Sequence, residues 1–211
     1  MAPSESRPIA VLVVDDHPML REGVAAVLDL QDDMCLVGEA ESGAAGVERF
    51  RALRPDVTLM DLQMPDMGGV EAIEAIRSEA PQAKIVVLTT YDGDVRALRA
   101  LKAGAAAYLL KSNLWRELID TIRDVHAGRK HIAPPMAEKI AVHAIDERLS
   151  DREIDILQLV AEGCQNKVIA RRLKISEQTV KEHLKSIFGK LDVADRTHAV
   201  TVALRRGIIE L

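Results

Sequence analysis

The sequence predicts an α/β domain, built on a doubly wound parallel sheet of five strands, followed by a small all-α domain of four helices. Three observations lead there. Between residues 9 and 127, five short runs rich in Val, Ile and Leu alternate with amphipathic stretches. After Gly128 the stretch HAGRKHIAPP breaks that rhythm with a glycine and paired prolines. Beyond residue 148, short helical patterns are separated by tight turns. The 211 residues suffice for one large or two small domains, and 48% hydrophobic with 29% charged residues is a globular composition. With only Phe50, Tyr91, Tyr108, Trp115 and Phe188 as aromatics, the cores must be aliphatic.

The apolar runs are IAVLVV (9–14), CLVGEA (35–40), VTLMD (57–61), KIVVLT (84–89) and AAYLLK (106–111). They are mostly continuous rather than alternating, which suits strands buried on both faces. Helical patterns fill the intervals at 19–30, 44–53, 70–79, 95–103 and 114–127, the last with Leu118, Ile119, Ile122 and Val125 at helical spacing. Five βα units with right-handed crossovers make a doubly wound sheet. Cys35 and Cys164 sit in apolar runs and read as small buried hydrophobes, since two cysteines make no disulfide framework or metal cluster. The start, MAPSESRP, lacks the character of a signal peptide, and the six-residue run at 9–14 is far short of a membrane span. A cytoplasmic protein with no membrane partner is expected.

In such sheets ligands bind beyond the carboxyl ends of the strands. Here those ends are polar: Asp15 and Asp16 after the first, Asp61 after the third, Thr89 and Thr90 after the fourth, Lys111 after the fifth. Taken singly, each has an ordinary reading: an Asp as turn or cap, a Lys as a solvated side chain, a Thr as a strand residue. Their joint placement at one end of the sheet favours chemistry. Crowded carboxylates need a cation, and hard oxygens suit Mg²⁺. No Walker loop and no GxGxxG follows the first strand, so a nucleotide site is unsupported. An ionised Asp beside Mg²⁺ can itself accept a phosphoryl group, with a hydroxyl and a lysine holding its oxygens.

These residues resemble the receiver domain of bacterial two-component response regulators. The acidic pair stands in VVDDHPMLREG (13–23), the third-strand Asp precedes Met-Pro-x-Met-x-Gly in MDLQMPDMGG (60–69), LTTYD (88–92) closes strand four, and Tyr108 lies three residues before Lys111. The resemblance implies that Asp61 is the phosphoacceptor and Asp16 a direct Mg²⁺ ligand. Asp15 would act through a bound water and Gln63 through its backbone carbonyl. Thr89 and Lys111 would grip the phosphoryl oxygens, and Tyr108 would swing inward as Thr89 moves. Two departures stand out: Ser112 follows Lys111 where many receivers have proline, and Ala107 replaces a frequent glycine. A hydrolase of the haloacid dehalogenase type, which also uses Asp and Mg²⁺, would carry its nucleophile after strand one in an Asp-x-Asp pair. Here the candidate follows strand three and its plus-two neighbour is Gln63.

The net charge of −5 hides an asymmetry. Residues 1–132 carry 15 basic and 21 acidic side chains, whereas residues 163–206 carry 10 basic and 4 acidic ones. A domain boundary is expected near residue 128, a linker with a short helix over 129–147 (its apolar side Met136, Ile140 and Val142), and a second domain over 148–211. In that domain Ser150 and Glu153 form a capping box ahead of Ile154, Leu157, Leu159 and Val160. A helix over 166–173 follows, then the turn Lys174-Ile175-Ser176 and a third helix with Val180, Leu184, Ile187 and Leu191 inward. This leaves Lys181, Glu182, Lys185 and Ser186 on its outer face. A fourth helix covers about 197–206. A tight turn between the second and third helices describes a helix-turn-helix, whose second member fits the DNA major groove.

Residues 149–200 resemble the LuxR-type helix-turn-helix at Arg152-Glu153, Gly163, Asn166-Lys167, Leu173, Ser176, Thr179-Val180, His183, Lys190-Leu191 and Arg196. The two parts together are similar to the NarL/FixJ response regulators. The resemblance implies base-facing roles for Lys181, Glu182 and Lys185, and phosphate contacts from Thr179, Lys190 and Lys167. It further implies a sensor histidine kinase as phosphoryl donor, double-stranded DNA with a two-fold-related site as target, a homodimer when phosphorylated, and RNA polymerase as a candidate partner. The function so implied is a phosphorylation-controlled transcription regulator rather than an enzyme.

Overall fold

The computed structural model describes residues 7–90, 94–132 and 149–209. The short helix expected in the linker, and Tyr91, lie outside them. The chain divides into two compact units, one built on the sheet and made of Met1–Tyr91 and Ala97–Pro134, the other made of Asp92–Arg96 and Pro135–Leu211.

In the first unit the strands are β1 (Ile9–Val14), β2 (Met34–Ala40), β3 (Val57–Asp61), β4 (Ile85–Thr89) and β5 (Ala107–Leu110). The helices between and after them are α1 (Pro18–Leu28), α2 (Gly43–Leu53), α3 (Gly69–Glu79), α4 (Asp94–Ala103) and α5 (Leu114–His126). Every residue of β1, β3 and β4 is buried, as continuous apolar runs require of strands covered on both faces. All pairings are parallel and these five strands lie in the order β2-β1-β3-β4-β5. The switch in winding direction therefore falls between β1 and β3, which opens a crevice at their carboxyl ends.

The sixth strand, β6 (His131–Ile132), was not expected; it lies in the stretch read as linker. It pairs with β5 through Ala107 and Tyr108, and the His131 amide donates to the Ala106 carbonyl at 3.2 Å. Gly128 at φ 82° turns the chain back from α5, and Arg129 is held by Asp124 at 2.6 Å. Two residues, one of them a histidine, carry no period for sequence reading to detect.

The second unit contains α6 (Asp151–Ala161), α7 (Asn166–Leu173), α8 (Glu177–Leu191) and α9 (Arg196–Arg206). Its core includes Ile156, Leu157, Val160, Ile169, Val180, Leu184, Ile187, Leu191, Ala199 and Ala203. The expected α8 stripe is buried as read. In α6 the inward set is instead Glu153, Ile156, Leu157 and Val160, and Ile154 is half-buried. Lys174 closes α7 at φ 55°, and Ser176 caps α8 by accepting from the Thr179 amide at 3.0 Å. Cys35 and Cys164 are half-buried rather than enclosed.

Candidate functional site

The end of β3 delivers Asp61 into the crevice at 2% exposure, and the turn after β1 delivers fully buried Asp15 beside it. Lys111, just past β5, donates to Asp61 Oδ2 at 2.9 Å and forms an ion pair with Asp15, its Nζ 2.7 Å from Oδ2. Burial pushes the Asp61 carboxyl above its ordinary range, and the neighbouring Asp15 adds to this. Hydrogen bonds from Lys111 and the Gln63 amide only partly oppose that rise. Burial alone would lower Lys111, but its bonds to the two carboxylates outweigh it and the ammonium is held above its ordinary value. The crevice thus carries more negative charge than one ammonium balances.

Ligand atoms of Asp15, Asp16, His17 and Asp61 all lie within 4.8 Å of one another. This oxygen-rich set, with buried Asp61 held partly against ionisation, has the chemistry of a divalent hard-cation site. Thr89 ends β4 at 1% exposure, and Tyr108 on β5 is 2% exposed, so its ring already lies inside. Ala107 is fully buried in the core, which absorbs the extra methyl. The structure brings Asp15, Asp16 and Asp61 into one cluster with Lys111, and sets Thr89 and Tyr108 on the two adjoining strands. Gln63 is exposed, with its amide directed at Asp61.

Two residues of the crevice were not assigned by sequence reasoning. His17 places Nδ1 3.1 Å from Asp15 Oδ1 and 2.6 Å from Asp16 Oδ1. Gly69 starts α3 directly behind Asp61, where a Cβ would clash with the Asp61 carbonyl oxygen and lie 2.8 Å from Leu62 Cα. The final glycine of Met-Pro-x-Met-x-Gly was the available signal.

In the second unit Lys167, Lys181, Glu182 and Lys185 are exposed, the last three along α8. Gln178 donates to Glu182 at 3.2 Å, and Thr179 pairs its hydroxyl with that of Ser176 at 2.8 Å. Two residues of α8 reach Glu153. The Lys190 ammonium donates to Glu153 Oε2 at 2.9 Å. Ser186, exposed as read, donates to the other Glu153 oxygen at 2.6 Å. Glu153 also accepts from the Ser150 amide and hydroxyl at 2.7 and 3.0 Å, completing the expected capping box. Its burial would raise the carboxyl, yet bonds from Ser186, Lys190 and Ser150 bring it down to about 2. The sequence signals for Glu153 were the capping box and its place in the helix-turn-helix pattern; its reach to α8 depends on how the helices pack.

Residues 11–123 match the family model of the response regulator receiver domain, and residues 147–203 that of the bacterial regulatory proteins of the luxR family. Among curated proteins, the chain is 40% identical over 213 residues to the uncharacterized transcriptional regulatory protein YxjL of Bacillus subtilis, covering 96% of this chain and 98% of that one. It is 39% identical to the response regulator protein VraR of Staphylococcus aureus, covering 96% and 99%. Among solved structures, the response regulator ChrA of a heme-sensing two-component system matches at TM-score 0.57 and 37% identity, over 97% of this chain and 100% of that one. RcsB of Salmonella enterica serovar Typhimurium, bound to promoter P1flhDC with the phosphomimetic BeF3-, matches at TM-score 0.73 and 26% identity, over 93% and 98%.

Proposed function

The chain belongs to the response regulators that join a receiver domain to a LuxR-type DNA-binding domain, and on that premise we propose that Asp61 accepts a phosphoryl group from a sensor histidine kinase and thereby controls DNA binding. The observation that carries this reading is the buried Asp61 at the switch point, with Asp15 beside it and Lys111 ion-paired to both. An Asp61 oxygen attacks phosphorus, the bond to the donor's imidazole nitrogen breaks, and an acyl phosphate remains. Lys111 is already 2.9 Å from the accepting carboxylate and donates to the incoming oxygens. Asp15, Asp16, Asp61 and the Gln63 carbonyl would hold Mg²⁺, which would neutralise charge on the carboxylates and the phosphoryl group. The Thr89 hydroxyl hydrogen-bonds the phosphoryl oxygens, and Tyr108 on the neighbouring strand follows its position.

The group is held, not turned over, so the protein acts as a stoichiometric acceptor rather than an enzyme. Lys181, Glu182 and Lys185 face base edges from α8, while Thr179 and Lys167 meet phosphates. Lys190 serves the helix through Glu153. Phosphorylation favours a homodimer on a two-fold-related DNA site, from which contact with RNA polymerase follows. RcsB, solved on promoter DNA, supports this reading.

Incubation with Mg²⁺ and acetyl phosphate, followed by intact mass measurement, should add one phosphoryl group to the native chain and none to Asp61→Asn. Equal labelling of the two would place the acceptor elsewhere. Turnover of a phosphate monoester would instead mark a hydrolase.

A further inference from the structure

Helix α8 carries two stripes. Val180, Leu184, Ile187 and Leu191 are buried in the core of its unit. Gln178, Lys181, Glu182 and Lys185, spaced by three, one and three residues, are all exposed. At about 100° per residue, those four side chains occupy an arc of about 100° on the opposite side of the helix. The arc lies in the first half of α8, whose start is fixed by the Ser176 cap on the Thr179 amide at 3.0 Å.

One member of this arc has the wrong sign for a polyanion. Glu182 stands between Lys181 and Lys185, yet among the described residues it is ion-paired with neither. Its Oε1 accepts instead from the Gln178 side-chain amide at 3.2 Å, one turn back along the helix. A neutral donor orients the carboxylate and leaves its charge in place. Facing phosphates, such a carboxylate would only weaken binding. Facing the floor of the major groove it has a partner, because cytosine presents its N4 amino group there as a donor. Thymine presents O4, an acceptor that repels a carboxylate, and guanine presents O6 and N7. Lysine has the complementary preference for guanine O6 and N7, so one C·G pair satisfies Glu182 and a neighbouring lysine together.

We propose that Glu182 is a specificity-determining residue that selects cytosine in the DNA half-site, with Gln178 as the positioning residue that orients its carboxylate. This rests on the DNA-binding reading of α8. Glu182 discriminates chiefly by penalty: a half-site without the amino group leaves the carboxylate unpaired against acceptors in the groove.

The test is selection of bound duplexes from a randomised library by the full chain, with and without acetyl phosphate and Mg²⁺. The native chain should enrich cytosine at one position of each half-site, and Glu182→Ala should lose the enrichment at that position alone. Glu182→Gln should move it toward adenine, whose N6 and N7 suit an amide. In anisotropy titrations, changing that cytosine to thymine should weaken the native chain by about tenfold or more. The same change should weaken Gln178→Ala by less, and Glu182→Ala by under about twofold. Identical selected sites for the native chain, Glu182→Ala and Glu182→Gln, or a native site without that cytosine, overturn the proposal while leaving DNA binding intact. Retention of no duplex by the native chain under either condition removes the DNA-binding reading first, and the proposal with it.

Discussion

Asp61 is buried for reactivity and held partly against ionisation by that same burial. Its carboxyl sits above the ordinary range because of desolvation and the charge of Asp15, and the Lys111 hydrogen bond is the chief opposing influence. Lys111→Ala should therefore move Asp61 titration to still higher pH, read by carbon NMR of the Asp side-chain carboxyls in the native and variant chains. An unchanged or lowered titration would show that Lys111 does not stabilise the ionised form. Behind it, Gly69 admits no side chain: a Cβ would strike the carbonyl of Asp61 itself. Gly69→Ala should displace the acceptor and abolish acetyl phosphate labelling while the sheet persists by circular dichroism, because the clash falls at the carboxyl end of β3 and leaves the other strands untouched.

The helix α8 is tied down near its carboxyl end by one side chain from α6. Glu153 accepts from Ser150 on its own helix's cap and from Ser186 and Lys190 on α8, so cap and interhelical tether share a carboxylate. Removing one partner of a buried charged network costs about 3–5 kcal/mol. Glu153→Ala should lose roughly that protection in amide exchange of α6 and α8, whereas Glu153→Gln should lose less. The pH dependence has a defined sign. An unfolded Glu titrates near 4.5, and the folded carboxyl at about 2, so the ionised form is favoured by folding. Its contribution, roughly 3 kcal/mol at about 1.4 kcal/mol per pH unit, is complete above pH 4.5 and disappears as pH falls toward 2. Exchange protection of α6 and α8 should fall across that window, and Glu153→Gln should flatten the dependence. Ser176 caps α8 through the Thr179 amide, and its change to Ala should cost about 1 kcal/mol.

Across the whole molecule the charges are separated, with an acidic excess over residues 1–132 and a basic excess over residues 163–206. DNA affinity should accordingly fall steeply with salt, log K against log salt having a slope of about −0.9 per phosphate contact. Lys181→Ala and Lys185→Ala, whose exposed side chains lie one turn apart, should each weaken binding. Lys167→Ala should weaken all sequences alike and make the slope shallower by about one. Salt-independent affinity in a fluorescence anisotropy titration would contradict DNA binding through these residues. No helix among the described residues is long and apolar enough to cross a membrane.

The sequence by itself determined the five principal strands, the helices between them, the order of polar strand ends and the buried stripe of α8. These follow from local periodicity and from continuous apolar runs, which need no knowledge of partners. It was equally legible that Asp15, Asp16, Asp61, Thr89 and Lys111 end up together, because parallel strands bring their carboxyl ends to one side. What only the tertiary structure decided were links between residues distant in the chain or hidden in motifs with a simpler local meaning. The β6 strand is too short to show a period and exists through its pairing with β5. Periodicity put Ser186 on the outer face of α8, where it is exposed, but did not show that α6 packs so that Glu153 reaches both Ser186 and Lys190. His17 looked like the residue after an acidic pair, and Pro18 with the turn into α1 brings its ring onto two carboxylates. Periodicity reports which face of an element is apolar; the direction and reach of a polar side chain depend on the neighbour it finds.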